Sequence, residues 1–207
     1  MSWFLARIYD GFMRKSEDAC LSAWRRELLA GAHGDVLELG AGTGANLLHY
    51  PAAVRHLVLV EPDPHMGTRL EARLRDTSLP FPTELITAQA ALPFAAASFD
   101  TAVVTLVLCS VAEPAATLDE LYRVLRPGGT LLFLEHVAAE DHPQRRAWQA
   151  RLEPLWKHIS GNCHLTRRTA DAIRAAGFVV ESETRESMRK ALPWLRPTVR
   201  GVARRPA

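Results

Sequence analysis

Short apolar runs alternate along the chain with longer segments whose apolar residues recur three and four apart. The runs fall at residues 36–39, 57–61, 84–87, 101–108 and 130–135, with two more at 178–184 and 198–204. Runs without strict alternation mark strands covered on both faces, as in a parallel sheet. Helical spacing appears at Ile8, Phe12, Leu21, Trp24 and Leu28, then at Met66, Leu70 and Leu74, and again at Leu118, Leu121, Tyr122 and Leu125. Gly11 is expected to split the first helical stretch, over residues 3–30, into two. Pro114 stands at a favoured first helical position, and Arg126-Pro127-Gly128-Gly129 closes that helix with a turn. A later helix, over residues 143–158, carries Trp148, Leu152 and Trp156 four apart, and Pro154 is expected to bend or divide it. Thr166 is positioned to cap a helix that runs to Gly177. Strands alternating with helices predict an α/β fold with right-handed crossovers.

The stretch Val36-Leu37-Glu38-Leu39-Gly40-Ala41-Gly42-Thr43-Gly44 organises this pattern. A buried strand leads into a glycine-rich turn, and Ala45-Asn46-Leu47-Leu48 is expected to open a helix. Glycine permits close approach of a ligand to the backbone, and free N–H groups at a helix start favour anionic or polar ligands. The spacing is G-x-G-x-G, related to the dinucleotide fingerprint G-x-G-x-x-G but distinct from it. Glu61 ends the second run, where a carboxylate can accept both hydroxyls of a ribose. Loop and acid together point to an adenosine-bearing ligand.

Composition narrows the class without changing it. The 207 residues are 48% apolar and 23% charged, which fits one globular domain. The formal net charge is +2, from 25 basic and 23 acidic residues, so nothing argues electrostatically for nucleic acid. The cysteines, Cys20, Cys109 and Cys163, form no C-x-x-C pair. No disulfide framework, and no metal site, is expected from that spacing, and reduced thiols suit a cytoplasmic protein. No apolar run approaches the ~20 residues that span a bilayer. The short apolar start, Trp3-Phe4-Leu5 with Arg7, reads as a core-packing helix, a lid or a peripheral membrane contact.

The segment E-L-G-A-G-T-G at 38–44 with E-P-D at 61–63 resembles the class I S-adenosylmethionine (SAM) methyltransferases. Ala88-Gln89-Ala90-Ala91-Leu92-Pro93-Phe94 with Ser98-Phe99-Asp100 is similar to the D-A-x-x-L-P-F…S-F-D segment of the ubiquinone-type group, with Ala88 replacing the family's acid. Three further motifs, Thr105–Val111 (T-L-V-L-C-S-V), Glu135–Glu140 (E-H-V-A-A-E) and Gly161–Arg167 (G-N-C-H-L-T-R), resemble the branch of alkyl-thiol S-methyltransferases. In that branch the last motif reads G-C-N-L-T-R, and the mammalian proteins begin with a long hydrophobic anchor that this chain's start does not resemble.

The resemblance implies a single Rossmann-like domain at 31–207 behind an N-terminal helical cap at 1–30. It implies a mostly parallel seven-stranded sheet with an antiparallel last strand and helices on both faces. SAM is the implied cofactor. Its implied contacts are Glu38, Gly40, Ala41, Gly42, Thr43, Gly44, Asn46, Glu61, Pro62, Gln89, Ala90, Thr105 and Leu106. The acceptor is a small lipophilic molecule, with a thiol favoured. Its expected pocket is Leu108, Cys109, Trp148, Trp156, Cys163 and Trp194.

Ligands in open α/β sheets sit at the carboxyl ends of the strands. That places Glu135-His136 near the reacting methyl group and makes His136 the candidate general base. Two alternatives stand beside S-methylation: C- or N-methylation of a quinone or phospholipid, and SAM binding without catalysis.

Overall fold

The computed structural model describes residues 3–88 and 91–207. Seven strands form one sheet: β1 Gly34–Leu39, β2 Val54–Val60, β3 Thr83–Ile86, β4 Phe99–Thr105, β5 Leu125–His136, β6 Val179–Ser187 and β7 Pro197–Arg204. Their order is β3-β2-β1-β4-β5-β7-β6. Strands β1 to β5 pair in parallel, while β7 runs antiparallel to both β5 and β6. The expected antiparallel last strand is therefore present. The helices are α1 Trp3–Ser16, α2 Ser22–Leu29, α3 Pro64–Asp76, α4 Pro114–Val124, α5 Pro143–Ile159 and α6 Thr169–Ala175.

The unbroken apolar runs follow from cover on both faces. Leu37 and Leu39 of β1, Val58 and Val60 of β2, Ala102 and Val104 of β4, and Leu131 and Phe133 of β5 join one core with α4 and α6. Their neighbours Val36, Leu57, Leu59, Val103, Leu132 and Leu134 join a second core with α2 and α3. A strand whose successive side chains point to opposite faces must be apolar throughout when both faces are buried.

Several local expectations are corrected. Helix α1 runs through Gly11, and the interruption falls later, at a π-helical turn over Glu17–Leu21 before α2. No α-helix follows the glycine loop; a single 3₁₀ turn, Leu47–His49, stands there. β4 stops at Thr105, three residues short of the apolar run. The Arg126–Gly129 turn is a bulge inside β5, since Phe99 pairs with Leu125 and Thr101 with Thr130. Helix α5 is continuous through Pro154, an exposed position where the carbonyl left without its N–H partner can meet water. Thr166 does not cap α6, whose N-cap position is Arg168; its N–H and hydroxyl bond the Glu153 carboxylate instead.

Candidate active site

The sheet order reverses between β1 and β4, and the crevice outside their carboxyl ends is where such folds bind ligands. A cavity of about 800 Å³ opens there, in the upper part of the ~300–1,000 Å³ range of small-molecule sites. Of the residues assigned to the cofactor by sequence, Gly40, Gly42, Glu61, Pro62, Thr105 and Leu106 border it. So do Cys109, His136, Trp156 and Cys163.

The glycine loop is built differently from the helix-start picture. Gly40 and Ala41 donate their N–H groups to the Val60 carbonyl at 2.7 and 3.2 Å, and Gly44 donates to Ala41 at 2.9 Å. Gly42 donates to Glu61 Oε2 at 2.7 Å, while Asp63 donates to Oε1 at 2.8 Å. Each carboxylate oxygen keeps acceptor capacity beyond its one N–H. Burial raises the Glu61 pKa, and the two N–H groups oppose this. Gly42 has φ +58°, and a Cβ there would meet nothing nearer than the Gly40 carbonyl at 4.0 Å. The loop thus leaves open space beside Glu61, a cradle that suits a ribose.

Other expected cofactor residues lie behind this surface. Glu38 is buried and accepts from Asn46 Nδ2 at 2.9 Å and from the Tyr50 hydroxyl at 2.6 Å. Burial pushes its pKa up to about 7. Asn46 Oδ1 and the Thr105 hydroxyl both accept from Arg25 Nη1, at 2.8 and 2.9 Å, and Arg25 also pairs with Glu17 at 3.0 Å. Thr43 donates to Asp10 at 2.6 Å. Ala41 and Gly44 shape the turn without bordering the cavity. Gln89 and Ala90 lie outside the described residues, as do the side chains of Trp3, Phe4 and Arg7.

On the acceptor side the structure divides the expected set. Cys109, Cys163 and Trp156 border the cavity, and Trp194 packs edge-on against Trp156 with centroids 6.1 Å apart. Leu108 is buried in the core. Trp148 is corrected: it is 59% exposed. Residues four apart drift by about 40° per step on a helix of 3.6 residues per turn. The inward face of α5 passes through Gln149, Leu152 and Trp156, with Gln149 fully buried. Helix α1 supplies a further wall through Tyr9, Phe12 and Met13.

Leu106 takes φ +60°, uncommon for a branched residue, and turns the chain out of β4. The buried carboxylate of Glu135 then accepts the N–H groups of Val107 and Leu108 at 2.9 Å each and of Cys109 at 3.2 Å. Glu135 therefore fixes the Cys109 loop. Glu135→Gln puts an NH₂ group where one of these donors expects an acceptor. It is expected to lower unfolding free energy by about 1–3 kcal/mol, measured by urea titration.

His136 Nε2 lies 2.7 Å from Cys163 Sγ, and Cys163 Sγ lies 4.0 Å from Cys109 Sγ. The hydrogen bond with Cys163 and burial together keep the Cys109 thiol protonated, its pKa raised. The hydrogen bond with Cys109, acting against burial and joined by the His136 charge, holds Cys163 well below the thiol range. Burial disfavours a charged His136, but the Cys163 sulfur and Glu135 outweigh it and raise the pKa. His136 Nδ1 is buried with no partner among the described residues.

These three residues place one ligand-type atom each within 4.8 Å of one another, a proximity that no sequence spacing announced. Zinc bonded at about 2.0 Å to N and 2.3 Å to S in tetrahedral geometry holds N and S about 3.5 Å apart. The 2.7 Å contact is the closer spacing of a hydrogen bond.

Comparison with known proteins fits this geometry. A methyltransferase-domain family profile matches residues 37–133. Human thiol S-methyltransferase TMT1B is 39% identical over 180 residues, covering 84% of this chain and 73% of that protein. The chain belongs to the SAM-dependent methyltransferases. The rat TMT1B protein is 42% identical over 145 residues, 69% of this chain, and the match spans 59% of the rat protein's length. A demethylmenaquinone methyltransferase of Streptomyces avermitilis is 28% identical over 176 residues, 81% of this chain and 73% of that protein.

Among solved structures, a methyltransferase-like protein of Bacillus halodurans superposes with TM-score 0.70 at 17% identity, covering 89% of this chain and 98% of that one. A SAM-dependent methyltransferase of Thermotoga maritima gives TM-score 0.65 at 22% identity, covering 98% and 95%. These likenesses establish the fold. Among the described residues, no helix of this methyltransferase is long and apolar enough to cross a membrane.

Proposed function

We propose that this methyltransferase transfers the methyl group of SAM to a small lipophilic thiol. The observation that carries the reading is the Cys109–His136–Cys163 cluster, set in the wall of a cavity that also presents Gly42 and Glu61. The reading also draws on the thiol S-methyltransferases among its relatives. SAM supplies an electrophilic methyl group and its own leaving group, so the protein's part is orientation and proton handling. Glu61 and the glycine loop would hold the ribose. Gln89 and Ala90 are proposed to meet the adenine edge through their backbone.

Cys163 fixes the His136 ring through Nε2 and favours its charged form. Nδ1, the ring atom without a partner, would then take the proton of the acceptor thiol. The resulting thiolate lies beside an imidazolium, which stabilises it. Residues 1–30 act as a cap whose helix α1 closes one side of the acceptor space. A cytoplasmic location accompanies this reading.

Phe12, Met13, Leu192, Leu195, Trp156 and Ile159 line the acceptor half of the cavity. An apolar wall of this kind rewards chain length. Each added methylene of an n-alkanethiol is worth about 0.8 kcal/mol when buried, so kcat/KM should rise about fourfold per CH₂ until the cavity is filled. Radiolabelled methyl transfer across a homologous series tests this. A flat series would remove the lipophilic acceptor.

A further inference from the structure

The two buried sulfurs of the cavity are arranged for more than shaping a wall. Cys109 and Cys163 come from segments 54 residues apart, and their Sγ atoms lie 4.0 Å from each other. Backbone and side-chain bonds pin the two segments together. His164 donates its N–H to the Cys109 carbonyl at 2.8 Å, Asn162 Nδ2 donates to the Ser110 carbonyl at 2.8 Å, and Arg167 donates to the Leu108 carbonyl. On the other side, Glu135 holds the N–H of Cys109 itself. A disulfide of about 2.05 Å needs the sulfurs, now 4.0 Å apart, to close by about 2 Å. Cys20, the third cysteine, contacts the Ser16 carbonyl and the Arg189 N–H and does not border the cavity.

We propose that Cys163 and Cys109 form a dithiol centre that reduces small apolar disulfides entering the cavity and closes to a Cys109–Cys163 disulfide in doing so. The ligand class, a dialkyl disulfide, is the oxidised form of the proposed acceptor, so its choice rests on the thiol reading. The Cys163 sulfur attacks as thiolate because it is the one paired with His136 at 2.7 Å. It bonds to one sulfur of R–S–S–R, and the S–S bond of the ligand breaks. The departing RS⁻ takes a proton from the His136 imidazolium.

Cys109 then yields its proton to the His136 ring and attacks Cys163 Sγ. The second RS⁻ leaves and takes that proton. The ligand gains two electrons and two protons and departs as two RSH, while the protein loses the same and holds one disulfide. The cross-link joins the loop after β4 to the loop before α6 and removes the sulfur that orients His136. Methyl transfer then stops until a dithiol reductant reopens the pair.

The test incubates the reduced full chain, without SAM, with di-n-butyl disulfide. Two equivalents of butanethiol should be released per protein, with loss of the mass of two hydrogens and a Cys109–Cys163 peptide in the proteolytic map. Cys109→Ser should stop at one equivalent with a butylthio adduct on Cys163. Cys20→Ser should behave as the parent. Methyl transfer should fall in proportion to the cross-linked fraction and return with dithiothreitol. The parent protein's map decides the matter even where a variant folds poorly.

A lasting adduct on Cys163 in the parent, a cross-link through Cys20, or no thiol release would overturn the proposal. So would thiols that react only after a chelator removes a bound ion. Cross-linking by a protein that methylates no thiol would uphold the dithiol centre and refute the thiol acceptor. Thiol methylation by a protein whose cysteines stay reduced would do the opposite.

Discussion

Gly42→Val is expected to abolish SAM binding while leaving most of the fold's stability. The backbone at Gly42 has φ +58°, where a β-branched residue is strained by about 1–2 kcal/mol. That cost alone leaves a domain of ordinary stability folded. The new side chain meets no protein atom that must move, since the space beyond the Cβ position is open. It would occupy the cradle beside Glu61 instead. Titration calorimetry should show no binding heat, with a melting temperature lowered by only a few degrees.

Gly40→Ala makes the contrasting case, because its Cβ would lie 2.5 Å from Val107 and disturb the Cys109 loop directly. Glu61→Ala should weaken binding by the loss of two hydrogen bonds to a charged acceptor, each worth roughly 1.5–3 kcal/mol. It also removes the carboxylate that accepts the Gly42 and Asp63 N–H groups. Normal binding by Gly42→Val would mean that the loop is not the cofactor site.

His136→Ala carries the second large effect. A positioned base contributes about 10²–10⁴-fold, and kcat at pH 7 should fall by about 10²-fold. The sign of the pH dependence follows from the raised His136 pKa. Parent activity depends on the neutral ring, so it rises with pH through a value above the ordinary ~6.5 of histidine. The variant depends on thiolate formed in solution and climbs only toward the thiol pKa, about 8.5 for a free cysteine-like thiol. The deficit should therefore be severe below that value and shrink above it. A deficit equal at every pH would make His136 a structural residue, a strand-end ring bonding Cys163.

The sheet was legible because strands buried on both faces are apolar at every position, as at Val36–Leu39 and Leu131–Leu134. Where the run at 101–108 outlasted β4, the last residues were apolar for another reason: Leu108 and Cys109 are buried in the turn held by Glu135. Gly42 and Glu61 were readable from spacing, because a strand-end acid and a glycine loop meet on adjacent parallel strands.

Glu38, Thr43 and Asn46 sat in the same motif, yet their side chains turn to Tyr50, Asp10 and Arg25. A motif records that a residue matters locally without saying which side of the loop it faces. Arg25 and Tyr9 carried no signal at all, since an arginine and a tyrosine in an amphipathic helix look like any solvated or core position. The Cys109–His136–Cys163 cluster was invisible as a set, because its members sit at the end of β5 and on two separate loops that only the fold brings together.

The most direct test of the account is transfer of labelled methyl from SAM to a panel of alkanethiols, a demethylated quinone and a phospholipid amine, with the product's labelled atom identified by mass spectrometry. The account predicts a methyl thioether from the longer alkanethiols, with formation slowed by His136→Ala below the thiol pKa. Label appearing only on quinone carbon or lipid nitrogen, from a protein that binds SAM normally, would contradict it.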